Sequence, residues 1–280
     1  MYHFTECISK GLDDLNTTLP KGVFTAQKKD GTLYYRSSLT YKNRHISLGS
    51  YEDKNMASLA YIEGRNILDN SNISISDYST KKCIISFDKW VCLVNFRDNG
   101  IYFKTPIYMH SKYFDYFYDK DLIYKFDFDD LFFYSHHKIM KRNGHLFVAD
   151  YGMQINILSR YGIHSHSVEG RDYIFVNGDN TDFRYKNIKV INHYKGVFKS
   201  TVNGREIFTS KIHVNGDFII GRYNTECEAA VAYNKAVHIL HDNGIDIDYE
   251  ENYVEELSPI EYAAAYNAVR ISEKVRKLRL

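Results

Sequence analysis

The sequence predicts an α+β protein of several domains, in which two three-stranded antiparallel sheet-plus-helix modules flank a β-rich middle and a helix closes the chain. Three observations carry this. With 25 Tyr and 17 Phe but only 3 Pro in 280 residues, the chain is rich in residues that favour strands. A segment near the N-terminus recurs about 174 positions later. Glycine-containing turns and helix caps punctuate both copies. Apolar residues make up 44% and charged residues 25%, the ordinary range for a globular protein, which excludes wholesale disorder, a collagen-like fibre and a small disulfide scaffold.

The repeat sets the organisation. Gly22-Val23-Phe24 returns as Gly196-Val197-Phe198. Each copy runs through a glycine turn (Asp30-Gly31; Asn203-Gly204), an alternating strand, a second polar turn (Tyr41-Lys42-Asn43; Asn215-Gly216) and a third strand. That strand ends Leu48-Gly49-Ser50-Tyr51 in one copy and Ile220-Gly221-Arg222-Tyr223 in the other. Asn-Gly and Asp-Gly suit tight hairpins, whose central residues need positive φ. A helix follows, with Ala57, Ala60 and Tyr61 matched by Ala229, Ala232 and Tyr233, and Thr225 to Glu228 reads as a capping box. The boundaries that follow are 1–70, 71–193 and 194–280.

Between the modules, Cys83–Phe87, Trp90–Val94 and Ile101–Lys104 read as strands, with Asp98-Asn99-Gly100 as a turn. The aromatics from Tyr113 to Tyr134 read as a β-core. At the end, Ser258-Pro259-Ile260-Glu261 combines an N-cap, a first-turn proline and a capping-box glutamate, opening a helix expected to run to about Lys277.

Net charge is +1, which argues against indiscriminate nucleic-acid binding, but the charge is uneven. Residues 22–48 carry net +4, 196–222 net +2 and 264–280 net +4, whereas 242–261 carry −8 and 113–133 carry −4. Local basic surfaces are therefore hidden in a neutral total. In each module the helix covers one sheet face and leaves the other to solvent or a ligand. That face is expected to offer Tyr34, Arg36, Ser38, Lys42, Arg44 and His45 in the first copy, and Lys199, Thr209, Lys211, His213 and Arg222 in the second. Strand alternation also turns Ile207, Asp217 and Ile219 outward in the second copy. Arg, Lys and Ser/Thr on a bare sheet suit a DNA major groove and its phosphates.

The four cysteines, Cys7, Cys83, Cys92 and Cys227, show no C-x-x-C spacing and read as buried thiols of a reducing cytoplasm. The first six residues lack the basic-then-apolar pattern of a secretory signal, and no run of about 18 apolar residues reads as a membrane span.

The Gly-Val start, the Leu/Ile-Gly-x-Tyr end of strand three and the Ala-x-x-Ala-Tyr helix resemble the Apetala-two/ethylene-response-factor type of DNA-binding domain, over 22–68 and 196–240. Members from bacteria and phages often sit in mobile elements. The resemblance implies double-stranded DNA as the partner. Residues 126–192 resemble the core of HNH endonucleases of the homing type. The match rests on Asn177-Gly178-Asp179, then Asp182, Arg184 and Asn187-Ile188-Lys189-Val190 at a helix entry, preceded by the acidic run Asp127–Asp130 and an Arg142–Val148 hairpin. This resemblance implies a ββα middle domain.

The departures bear on chemistry. HNH catalysis needs a metal-bound phosphate and a histidine that activates water. The Asp-His pair of that family falls on Ile174 and Phe175, the middle Asn on Phe183, and the upstream helix reads Gln154–Leu158 with no His. The expectation is a DNA-binding relative that has lost cleavage, with no catalytic residues and no cofactor, serving as a transcription regulator or as a phage or mobile-element accessory in the cytoplasm. Two alternatives stay open. One is an active Mg²⁺-dependent nuclease, for which His164 and His166 are the substitute residues. The other is a protein-binding module, suggested by Ile207, Ile219 and the acidic 242–261 run. His136-His137 and Asp127, Asp129 and Asp130 read as structural.

Overall fold

The computed structural model describes residues 19–279; Cys7 and the first six residues lie outside them. The chain is mixed α+β, with several small antiparallel sheets and a few helices. The described residues divide into two compact units, 19–154 with 181–184, and 155–180 with 185–279.

In the first unit, β1 (Val23–Gln27), β2 (Leu33–Tyr41) and β3 (Arg44–Tyr51) form an antiparallel sheet in the order β1-β2-β3. Lys42 and Asn43 both take positive φ, 44° and 61°, as a two-residue hairpin turn requires. Helix α1 (Lys54–Asp69) starts where the Asp53 side chain accepts from the Asn55 and Met56 amides. Its Ala60, Ile67 and Leu68 pack with Leu39, Ile46 and Leu48 in one buried cluster.

Helix α2 (Phe87–Asn99) replaces the strands expected over 83–94. The run Trp90–Phe96 is buried throughout, and a short continuous apolar run is compatible with either a strand or an enclosed helix. The caps decide it. The Ser86 side chain accepts from the Lys89 amide, and Gly100, at φ 75°, is the left-handed residue ending the helix rather than a hairpin turn. Residues 101–104 form no strand.

Strands β4 (Ile107–Met109), β5 (Tyr113–Phe117) and β6 (Ile123–Asp127) form the next sheet. The aromatic run is its core: Phe114 and Phe126 stack at 5.5 Å, and Tyr134 of α3 (Leu131–His136) lies 4.3 Å from Phe126. A third sheet has the order β7-β8-β9, from β7 (Ile139–Arg142), β8 (His145–Asp150) and β9 (Met153–Asn156).

In the second unit, β10 (Tyr173–Phe175) pairs with β11 (Ile188–Val190). The helix entry expected over 182–190 is not formed: Tyr185–Asn187 make one 3-10 turn and Ile188–Val190 is strand. Likewise a 3-10 turn, Ile157–Tyr161, stands in place of the expected upstream helix. The ββα arrangement is therefore not present over 155–191.

The second module repeats the first, with β12 (Val197–Val202), β13 (Arg205–His213), β14 (Asp217–Tyr223) and α4 (Glu226–Asp242). Its capping box, Thr225 with Glu228, is in place. The closing helix is shorter than expected. Helix α5 (Pro259–Ala268) stops before Val269 and Ile271, and a further turn, α6 (Glu273–Arg276), restarts at Ser272. The break places an extended segment against β14, where the Ser272 amide donates to the Ile220 carbonyl at 2.8 Å and the Tyr223 hydroxyl to the Arg270 carbonyl at 2.7 Å. Among the described residues no helix is long and apolar enough to cross a membrane.

Candidate functional site

The residues that define the repeat are packing residues. Gly22 has φ 77°, and a Cβ there would fall 2.0 Å from the Tyr61 ring and 2.6 Å from the Ser38 carbonyl. Gly196 has φ 72°, and its Cβ would fall 2.4 Å from the Tyr233 ring. Each glycine carbonyl accepts from the next-strand amide, Ser38 or Lys211. The Gly-Val start and the helix tyrosine are thus two halves of one contact, made twice.

Both sheets carry a bulge at the same place. In the first, pairing steps from Ser37↔Gly49 to Ser38↔Ser47, leaving Leu48 as the extra residue. In the second it steps from Ser210↔Gly221 to Lys211↔Ile219, leaving Ile220. Leu48 and Ile220 are both buried. An inserted residue shifts the side-chain alternation of its strand by one, so the bulge decides which residues beyond it face outward.

On the first module the open face carries the cross-strand rows Phe24–Arg36–Ser50, Ala26–Tyr34, Ser38–Ser47 and Thr40–His45. None of these residues is acidic. The Arg36 guanidinium lies over the Tyr34 ring at 5.5 Å and donates to its hydroxyl at 2.8 Å. Phe24 is 54% exposed beside Arg36. Of the six residues expected here, Tyr34, Arg36 and His45 lie on this face, and Ser38 shares it but is only 7% exposed. Arg44 and Lys42 do not belong to it. The bulge turns Arg44 to the side of Tyr41 and Ile46, where it lies over the Tyr102 ring at 5.7 Å. Lys42 sits in the hairpin turn, near the rings of Tyr41 and Phe96. Phe24, Ser47 and Ser50 are additions to the expected set, because only the strand register shows that they share a face with Arg36.

The second module's face is different in kind. Its rows are Phe198–Thr209–Arg222, Ser200–Ile207, Lys211–Ile219 and His213–Asp217. Thr209, Lys211, His213 and Arg222 do lie on it, as do the outward Ile207, Asp217 and Ile219. Lys199 does not: it pairs with Phe208 on the other face and binds Glu206 at 2.6 Å. Two of the other cations have partners within the unit. Lys211 lies over the Phe198 ring at 5.0 Å, with Arg171 at 5.3 Å from the same ring. His213 binds Asp217 at 2.8 Å, and Ile219 is 47% exposed.

In the middle segment the polar residues that resemble a nuclease core hold loops together. The Asn187 side chain accepts from the Asn177 amide at 2.8 Å and donates to the Asp179 carbonyl. Asp182 is buried and takes two hydrogen bonds from Arg184, at 2.7 and 2.6 Å, while Arg184 lies over Tyr113. Phe183 is 4% exposed and stacks on Phe126 at 5.4 Å. Ile174 and Phe175 are strand residues of β10, with Phe175 buried against Tyr173. Neither side chain can carry a proton or ligate a metal.

His164 and His166 stack face to face at 5.3 Å beside a cavity of about 380 Å³, lined also by His193, Lys195, Glu250 and Glu256. Burial and the neighbouring His164 hold His166 below the usual imidazole range. His136 and His137 cap the end of α3 through the Phe132 and Phe133 carbonyls. Among the described residues no group of three or more His, Cys, Asp or Glu is arranged to hold a metal ion. Burial raises all three described thiols, Cys92 to about 12.

No protein-family model matches the chain, nor does any curated protein or solved structure.

Proposed function

We propose that the protein binds double-stranded DNA through the open sheet face of its N-terminal module. In this reading it is a relative of HNH homing enzymes that no longer cuts, acting as a transcription regulator or as a phage or mobile-element accessory. One observation carries the reading: Phe24, Tyr34, Arg36 and His45 share an acid-free, solvent-facing surface on a short twisted sheet. The major groove, about 12 Å across, admits a pair of β-strands such as β2 and β3. Arg36, held by the Tyr34 hydroxyl, presents a planar fork suited to guanine, and the exposed Ser47 and Ser50 suit phosphates. The apolar Ile174 and Phe175 support the loss of cleavage, since they supply neither a base nor a metal ligand.

The test is selection of duplexes from a random pool by the full chain, followed by binding of the enriched sequence to Arg36→Gln. Removing one bidentate hydrogen-bonded pair to a base weakens the selected site by about 1–3 kcal/mol and relaxes preference at one position. No enrichment, or an unchanged preference in the variant, refutes the reading.

A second reading applies to the C-terminal module. Its face pairs His213 with Asp217 and exposes Ile219, which suits a protein partner better than a phosphate backbone. Pull-down in the presence of added nuclease separates the two: a partner retained after DNA removal favours protein contact.

A further inference from the structure

We infer that Lys42, Arg44 and Lys89 form a phosphate-binding site at the edge of the N-terminal module, separate from the open sheet face. The cluster is built around two aromatic rings. Phe96 of α2 and Tyr102, three residues beyond that helix, meet edge to face at 5.6 Å. Arg44 from the start of β3 lies 5.7 Å from the Tyr102 centroid, and Lys89 from α2 lies 5.3 Å from it. The Lys89 ammonium also donates to the Tyr102 hydroxyl at 2.6 Å. Lys42, in the β2–β3 turn, lies 5.9 Å from the Phe96 centroid.

Three cations are thus gathered round one aromatic pair, and among the described residues none of them forms an ion pair with a carboxylate. The contrast within the chain is direct. Lys138 binds Asp88, Arg65 binds Asp69, Arg97 binds Asp98 and Lys199 binds Glu206. Cation–ring attraction contributes about 0.5–1 kcal/mol per pair at exposed sites, and it orients the cations without neutralising them. Lys42 and Arg44 remain exposed and Lys89 half-buried. What such a set lacks is an anion. A phosphate, with its spread negative charge and several acceptor oxygens, matches one guanidinium and two ammonium groups.

The source of phosphate implied by the proposed function is the DNA backbone, and to that extent the inference rests on that reading. Lys42 and Arg44 fall within the first module's own sequence, but Lys89 and Tyr102 come from the segment after it. The phosphate-binding surface therefore extends beyond the repeat unit to α2; α5 follows the second module at the same spacing, but it carries Glu261 where α2 carries Lys89.

The test uses the full chain and two probes, a mixed-sequence duplex and inorganic tripolyphosphate. Removing one cation that meets a phosphate should reduce the slope of log K against log salt by about 0.9 and weaken duplex binding about eightfold at 0.1 M salt. Arg44→Gln and Lys89→Gln are each expected to show this change, with Lys89→Arg restoring the wild-type slope. Arg44→Gln, on an exposed side chain, guards against a folding artefact in Lys89→Gln, and melting without anion checks both. Wild-type binding to duplex with unchanged slopes in both variants overturns the site and leaves the DNA reading standing. If no duplex binds but tripolyphosphate raises the melting temperature of the wild type and not of the variants, the site stands and the DNA reading falls. If tripolyphosphate stabilises wild type and variants alike, the site is overturned.

Discussion

Replacing Gly22 by alanine isolates the contact on which the repeat is built. Two costs arise at once. A side chain at φ 77° enters the left-handed region, which costs about 1–2 kcal/mol for an L-residue. The new methyl also meets the Tyr61 ring at 2.0 Å and the Ser38 carbonyl at 2.6 Å, and overpacking of this kind costs about 1–3 kcal/mol more. Gly144 supplies the control. It sits in a hairpin turn at φ 85° with nothing within 4 Å of its added Cβ, so Gly144→Ala carries the first cost alone. For a unit of this size each kcal/mol shifts melting by about 2–4 °C. Gly22→Ala should therefore melt about 2–12 °C below Gly144→Ala in a thermal scan of the full chain. Combining Gly22→Ala with Tyr61→Ala should recover part of the difference, since the ring is gone while the carbonyl remains. Equal melting of the two single variants refutes the argument that the glycine is there for close approach.

Three further outcomes are expected. Asp172 is buried, and burial raises its carboxyl, but hydrogen bonds from Arg171, Asn192 and the Val168 amide outweigh this and leave it below the ordinary carboxylate range. A carboxyl whose folded pKa is depressed contributes stability above its unfolded value, near pH 4, and loses it as pH falls through the folded value. The stability gap between wild type and Asp172→Asn, measured by urea unfolding, should accordingly shrink from about pH 6 to about pH 3, and a constant gap contradicts it. Phe183→Ala removes a buried ring from the Phe126 stack and should cost about 3–5 kcal/mol in the same assay, whereas a cost under about 1 kcal/mol would mean that the 181–184 segment is not part of that core. Finally, supercoiled plasmid with Mg²⁺ or Mn²⁺ should remain unnicked by the full chain; nicking that disappears in His164→Ala would restore the nuclease alternative.

Several local features are readable from residue order alone, because they depend on neighbours within four positions. The Asn-Gly turns and the Thr225–Glu228 and Ser258–Glu261 caps are of this kind, and the duplicated pattern is legible because such local signals recur in the same order. So is the chemistry at Ile174 and Phe175, since a side chain's inability to carry a proton does not depend on where it lies. Composition misleads over 83–94: an enclosed helix buries apolar residues on every side, as a central strand does, and only the Ser86 and Gly100 caps distinguish them. A similar ambiguity lengthens the expected C-terminal helix, because Val269 and Ile271 fit an apolar helix stripe until the segment finds β14.

Face membership belongs to the tertiary structure. A single inserted residue, Leu48 or Ile220, shifts the alternation of its strand, so His45 and not Arg44 shares the open face with Ser50, the reverse of what unbroken alternation would give. Nor can the order of residues show that Lys199 is neutralised by Glu206 while Lys42, Arg44 and Lys89 are not. Charge pairing acts over a few ångströms in space, and the groups that meet round Tyr102 are separated by up to 58 positions along the chain.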